Sequence, residues 1–331
     1  MIDTQISAII TMFVAAVWRG TPLLLGTTGE IITEKSGSLN LGVEGTMALG
    51  AIAGYLVAAT TNSLWLGIIA GFMMGGIVGL LYSFLTVSLK ANQNVTGLTI
   101  TIFGVGLYTF IGQTLDANGN FPSMSATLKA QVAENGIPYL RDIPYVGELL
   151  FSFNIMVYFA IAIAIIVWFY LARTKSGLRL RAVGENPSSA DSVGINVSVT
   201  RHISSMIGSG IMGIGGVYMA LVMRYGAWSS SWINGYGWIA VALVVFANWS
   251  TLRAIFGTIL FGFLLALKAQ INVLTNAFPT LLSWMPLLPS EFYQMLPYLL
   301  TVLVLIFSSM KKNKHGGQPA QCGINYFRED R

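Results

Sequence analysis

The sequence predicts an all-α polytopic membrane protein, and three observations carry that reading. Charged residues make up 9% of the chain and hydrophobic ones 54%, with a mean hydropathy of +0.69. Soluble domains carry about 25% charged residues, so this chain cannot build a water-facing surface all round. Its apolar runs are continuous over spanning length rather than alternating, which selects helices over a β-barrel. Lys and Arg gather in alternate connections, as the positive-inside rule requires.

Apolar segments fall at about 6–28, 42–61, 64–89, 95–113, 151–172, 199–223, 237–250, 253–271 and 293–310, about nine spans in all. The segment 237–250 is short for a crossing. The N-terminal MIDTQISAII lacks a basic n-region and a small-residue cleavage site, so it reads as the start of the first helix. Placing the polar stretch 173–198 inside puts Lys35, Lys90, Arg173, Lys175, Arg179, Arg181, Arg201, Arg253, Lys311, Lys312 and Lys314 inside as well. Lys129, Arg141 and Arg224 then fall outside, and the balance predicts N-terminus out and C-terminus in. Trp65, Trp228, Trp232 and Trp238 mark the outer interface, Trp168 and Trp249 the inner one.

Residues 1–310 thus form one transmembrane domain. Its external loop, 114–150, is rich in Pro and Gly and is expected to fold compactly, with a short helix near 125–134. Small residues recur every fourth position at Gly71, Gly75 and Gly79, at Thr46, Gly50, Gly54 and Ala58, and at Ser205, Ser209 and Gly213. That spacing lets helix backbones approach closely in lipid. The polar tail 311–331 has no apolar periodicity and is expected to be disordered, with no assigned role.

The most informative stretch is Arg173 to Val197, RTKSGLRLRAVGENPSSADSVGINV, a charged run between two long apolar segments. Asn186 can cap a helix that starts at Pro187, and Gly194 can close it in the left-handed conformation. The result is a helix of about two turns standing on the inner face, fit to dock a soluble partner. An ordinary ordered loop would show the same spacing.

Other chemistry is sparse. No phosphate-cradling G-x-x-x-x-G-K-[ST] occurs, and no nucleophile elbow. His202 and His315 have no neighbours at metal-ligand spacing, and the lone Cys322 allows no internal disulfide. Glu30, Glu34 and Glu44 are read as flanking the first inner connection, with no carboxylate at mid-membrane to bind a coupling ion. A transporter without a coupling acid or an ATPase motif needs an external motor. A stand-alone carrier or channel remains the alternative class; a membrane-embedded enzyme has little to support it.

Thr27 to Ala51, TTGEIITEKSGSLNLGVEGTMALGA, resembles the N-terminal signature of ABC-importer permease subunits of the branched-chain amino acid/simple sugar/nucleoside type. RAVGENPSSADSVGINV, NGYGWIAVALVVFANW and LPYLLTVLVL follow the same family pattern, and the likeness runs from about residue 20 to 310. The first signature looks most like permeases paired with basic-membrane-protein lipoproteins, which carry chiefly nucleosides; sugars and vitamins are the related substrates. The resemblance implies a non-enzymatic subunit in a bacterial inner membrane that forms the path for a small polar solute. It implies an ATP-binding subunit, a second permease subunit (identical or different) and an external substrate-binding lipoprotein. ATP and Mg would sit on the ATP-binding partner, with no cofactor or metal on this chain and no nucleic-acid partner. Carried over residue by residue, Glu185, Asn186, Pro187, Ser188, Ser189, Ala190, Asp191 and Gly194 would form the coupling helix. Glu185 and Asp191 would meet basic groups on the ATPase, while Pro187, Ser188, Ser189 and Ala190 would enter its groove. Candidates for the translocation path are Asn40, Glu44, Asn92, Asn94, Thr96, Thr99, Phe103, Trp232, Asn234 and Trp238, with Gln93, Thr101, Phe110 and Trp228 beside them. Capping, interhelical bonding and interface anchoring would equally place these residue types there.

Overall fold

A computed structural model describes residues 2–133, 136–310 and 317–327. Its helices are α1 (Ile2–Lys35), α2 (Val43–Thr61), α3 (Leu64–Ser83), α4 (Gln93–Ala117), α5 (Ala126–Val132), α6 (Val146–Phe151), α7 (Ile155–Arg173), α8 (Lys175–Glu185), α9 (Pro187–Ser192), α10 (Val197–Tyr218), α11 (Tyr236–Phe246), α12 (Thr251–Ala277), α13 (Pro279–Leu282) and α14 (Ser290–Met310). Many starts are written in the sequence. Ser63, Asn92, Ser125, Asn154, Thr174, Asn186 and Asn196 each accept a backbone N–H of the turn they open, which satisfies a donor the helix itself leaves free. Loop 114–150, expected to be external, holds α5 and α6, the first of them where a short helix was expected.

Seven helices among the described residues are long and apolar enough to cross a membrane: Thr4–Lys35, Val43–Thr61, Leu64–Ser88, Gln93–Ala117, Ile155–Arg173, Val197–Met223 and Thr251–Ala277. The expected nine is not confirmed by these seven. The short α11 has 11 residues. At 1.5 Å per residue that gives about 16 Å, half the hydrocarbon thickness. A hydropathy window joined α11 to the turn after it, where Asn248 and Trp249 take positive φ.

The predicted small-residue stripes pack on one another. A Cβ on Gly75 of α3 would lie 2.2 Å from the Ser209 carbonyl oxygen of α10, and one on Gly213 would lie 2.2 Å from the Gly71 carbonyl oxygen. Backbone meets backbone here, so nothing can yield without parting the helices. Gly75→Leu is expected to eliminate monodisperse protein in detergent size-exclusion chromatography. Gly106→Ala, whose Cβ would meet nothing within 4 Å, should elute as wild type. Equal profiles would refute this packing.

Residues 36–42 do not simply connect two helices at a membrane face. They turn back along α1, so that Val43 and Met47 lie beside Gly26. Gly37 makes the turn with φ +92°, a conformation glycine adopts without strain. The returning backbone is satisfied by side chains of other elements. Asn40 N–H donates to Glu30 Oε1 at 3.1 Å and Leu39 N–H to Gln93 Oε1 at 2.8 Å. The Leu39 and Leu41 carbonyls accept from Tyr82 at 2.6 Å and Thr101 at 2.9 Å. Buried irregular backbone persists only where protein groups replace the missing water. Glu30 and Glu34 correct the sequence reading: both lie within α1 and both are buried, Glu34 accepting from the Trp249 indole.

The tail expectation is corrected as well. Residues 317–327 are ordered against the end of the bundle that carries α8 and α9; residues 311–316 and 328–331, which complete the segment named in that expectation, lie outside the described residues.

Candidate functional site

The bundle has two chemically distinct ends. One gathers the end of α1, the turn 88–92, α8, α9, the start of α10 and the ordered tail. The other gathers loop 114–150, residues 224–235 and the start of α14.

At the first end the segment around α9 folds as its sequence encodes. The Asn186 side chain accepts Ser189 N–H at 3.0 Å, Pro187 occupies the first turn of α9, and Gly194 takes φ +85°. Pro187 and Ala190 turn inward, with Ala190 packing on Val183 and Val197. They are therefore unavailable to fill a partner's groove. The outward face is Glu185, Asn186, Ser188, Ser189, Val193 and Gly194, with Asp191 half-buried. Val193, a large apolar residue absent from the sequence-based candidates, is 75% exposed. Glu185 also accepts Ala320 N–H at 3.2 Å, and Asp191 accepts the Tyr326 hydroxyl at 3.0 Å. Both carboxylates thus have partners within the chain.

Toward the second end lies a cavity of about 500 Å³ between α1, α11, α12, α14 and the π-helical turn Met219–Met223 that follows α10. Three cations line it, Arg19, Arg224 and Lys268, together with Asn234, Gln294 and the aromatic Trp18, Tyr236, Tyr293 and Tyr298. Arg19 lies in α1, Lys268 in α12 and Arg224 in the connection before α11, so only the fold brings them together. A second void of similar size, about 520 Å³, is walled almost wholly by Ile, Phe and Leu and offers a polar solute nothing.

Glu44 builds one edge of the polar site. Its carboxylate accepts Gly235 N–H at 2.6 Å, Gly237 N–H at 2.8 Å and Trp238 N–H at 3.4 Å, gripping the N-terminus of the half-length α11. An anion at the positive end of a helix is favourably placed. The next residues in chain order, Asn234 and Tyr236, line the cavity, so this grip sets part of its wall.

The other path candidates are dispersed. Asn40 is buried in the fold-back, where its side chain accepts Gly42 N–H at 2.8 Å. Asn92 caps α4, and the Thr96 and Thr99 hydroxyls donate to carbonyls one turn back, at 2.8 Å each. Asn94, Thr99 and the Phe103 and Phe110 rings are exposed on the outside of α4, away from the cavity lining. Trp232 borders the cavity but is fully buried, in a cluster with Tyr55, Tyr108, Phe121 and Trp228 that closes the bundle under loop 114–150. Trp238 is 41% exposed. His202 bonds Ser83 and Ser88, and no group of three potential metal ligands occurs among the described residues.

A helical membrane bundle with a polar-lined cavity of this size suits a subunit that passes a small solute. The family described as branched-chain amino acid transport system / permease component matches residues 12–305, and the chain belongs to that family: it is the permease subunit of an ABC transporter. Such a subunit is not itself an enzyme, and it works with an ATP-binding subunit and a substrate-binding protein. Among curated proteins, the chain is 37% identical over 269 residues to a putative glucose ABC transporter permease, TsgC13, of Haloferax volcanii, covering 80% of this chain and 78% of that one. It is 31% identical over 315 residues to the nucleoside permease NupC of Lactococcus lactis, covering 93% and 94%. It is 32% identical over 296 residues to the guanosine permease NupQ of Bacillus subtilis, covering 86% and 87%. No solved structure matches.

Proposed function

We propose that this chain forms the translocation path of an ATP-driven importer for nucleosides, in a bacterial inner membrane, with N-terminus out and C-terminus in. The observation that carries the substrate reading is the cavity lining. Trp18, Tyr236 and Tyr298 offer flat faces to a base, and Arg19, Arg224, Lys268, Asn234 and Gln294 offer polar groups to its carbonyls and to ribose hydroxyls. A volume of about 500 Å³ lies within the usual range of about 300–1,000 Å³ for small-molecule sites. The coverage of NupC and NupQ, above 85% in both directions, supports the same substrate class. A sugar is the second reading, favoured by the higher identity to TsgC13, and aromatic faces serve sugars too.

In this reading the α9 end faces the cytoplasm, and Glu185, Ser188, Ser189 and Val193 meet the ATP-binding subunit. A second permease subunit, identical or different, completes the membrane channel, and an external lipoprotein delivers the solute to the end that holds the cavity. ATP and Mg belong to the ATP-binding subunit. ATP-driven closure of the motor would move α9 and switch the cavity's access from one side to the other.

Competition of labelled guanosine uptake by unlabelled nucleosides, hexoses and vitamins, in cells that depend on this chain, tests the assignment. Nucleosides should compete and hexoses should not. Arg224→Gln should raise the apparent KM about 10-fold or more, since one charged hydrogen bond is worth about 1.5–3 kcal/mol. Competition by glucose alone would replace the nucleoside reading with the sugar one.

A further inference from the structure

The tail crosses the whole of the α9 end and bonds to five separate pieces of the chain. Ala320 and Gln321 N–H groups donate to Glu185 at 3.2 Å and to the Gly184 carbonyl at 3.0 Å, at the end of α8. Gly323 N–H donates to the Gly37 carbonyl of the fold-back at 3.2 Å. The Ile324 carbonyl accepts from the buried Arg201 of α10 at 3.0 Å. The Asn325 side chain donates to the Lys90 carbonyl at 2.7 Å and accepts from Gln93 Nε2 at 3.1 Å, at the start of α4. The Tyr326 carbonyl accepts from Lys90 Nζ at 2.7 Å, while its hydroxyl donates to Asp191 of α9 at 3.0 Å. Its ring packs on the small cluster of Val183, Ala190 and Val197 under α9.

These bonds join end to end. Asp191 is linked through Tyr326 and Asn325 to Gln93, whose Oε1 holds the fold-back at Leu39. The fold-back runs on into Glu44, which grips α11 at the cavity wall. A short helix such as α9 has few contacts of its own with the membrane helices; without the tail, a push on it would be taken up by bending at Asn186 and Gly194. Contiguous hydrogen-bonded and packed groups of this kind can carry coupling between distant sites.

We propose that residues 317–327 are a coupling strap that transmits the movement of α9 to the fold-back and the cavity, with Asn325 and Tyr326 as its positioning residues. The inference rests on the reading of α9 as the element that meets the ATP-binding subunit. The strap stays seated through the cycle and moves with α9; it does not compete with the partner for it.

The test uses the complete transporter in proteoliposomes and reads solute moved per ATP hydrolysed. Asn325→Ala and Tyr326→Phe should lower that ratio about 10-fold while assembly and ATP hydrolysis stay within about 2-fold of wild type. Deletion of 317–331 should lower it further. A tail that only stabilises the fold would reduce the amount of assembled complex and leave the ratio unchanged, which would overturn the proposal. The single side-chain variants decide the matter should the deletion fail to assemble.

Cys322, the one cysteine of the chain, gives a second readout. It lies within the strap, and burial, reinforced by nearby carboxylates, pushes its thiol up to about 12, so a seated strap keeps it unreactive. With partner subunits free of cysteine, maleimide labelling should stay slow with and without ATP in the wild type. It should quicken at least about 10-fold in Asn325→Ala. ATP-induced labelling in the wild type would mean that the strap leaves its seat, and the proposal would fall. If this chain assembled with no ATP-binding subunit at all, the reading of α9 would fail instead, an outcome separate from an unchanged ratio in an assembled complex.

Discussion

Glu44→Leu is expected to abolish uptake, by at least about 100-fold per assembled complex. The side chain is buried and holds three backbone N–H groups at the start of α11. A leucine fills the space but leaves those donors facing apolar surroundings. Each hydrogen bond to a charged acceptor is worth about 1.5–3 kcal/mol, and unmet buried donors cost about 1–3 kcal/mol each. Even partial relaxation leaves several kcal/mol against the native position of α11, and every 1.4 kcal/mol is about a factor of ten in an equilibrium. Glu44→Gln retains an acceptor oxygen and should be intermediate, about 10-fold down. Uptake normalised to purified complex checks both; wild-type transport by the leucine variant would show that the grip on α11 is dispensable.

The second large effect concerns Arg201, 2% exposed at the start of α10. Its Nε donates to the Ser36 carbonyl at 3.3 Å and its Nη1 to the Ile324 carbonyl at 3.0 Å, and its guanidinium lies against Gly37, where a Cβ would come within 2.6 Å of Nη2. One side chain thus holds the turn after α1 and the tail together. Arg201→Met should cost about 2–4 kcal/mol, from two carbonyls left without donors in a buried place. Near the transition that is a fall of about 3–6 °C in Tm for a chain of this size. Arg201→Lys should not restore the loss, because a single ammonium cannot reach two carbonyls in the geometry of a guanidinium fork. Thermal unfolding of the purified complex measures the drop, and Cys322 should label faster in the same variant. An unchanged Tm with a protected thiol would contradict this role.

The sequence made local signals legible and long-range ones opaque. The short helix α9 was readable because Asn186, Pro187 and Gly194 act on their own backbone within a few residues. The small-residue stripes were readable because lipid leaves close backbone approach as the packing option. The half-length α11 was misread because hydropathy counts apolar residues and cannot see where the chain turns. Asn40, Glu44 and Gln93 looked like a polar lining, and Glu30 like a flank of the first inner connection. Three of the four tie down irregular backbone in the fold-back and Glu44 grips α11, and that depends on partners far off in sequence. The tail shows the same limit most clearly. Polar, Gly-containing composition suggested disorder, yet its ordering comes from bonds to Gly37, Lys90, Gly184 and Arg201, none of which leaves a periodic trace. The cavity cations Arg19, Arg224 and Lys268 come from α1, the turn that ends the π-helical segment after α10, and α12, and converge only once these are packed.

The central claim is that a polar cavity in this chain passes a nucleoside under the control of a motor attached at α9. Guanosine accumulation in proteoliposomes containing this chain, its ATP-binding subunit and any second permease, with the binding protein outside and ATP-regenerating mix inside, tests it most directly. Accumulation should require ATP and vanish on Glu185→Lys, which reverses charge at the docking face, while the variant still inserts. Guanosine flux through this chain alone, indifferent to ATP and to Glu185→Lys, would contradict the account.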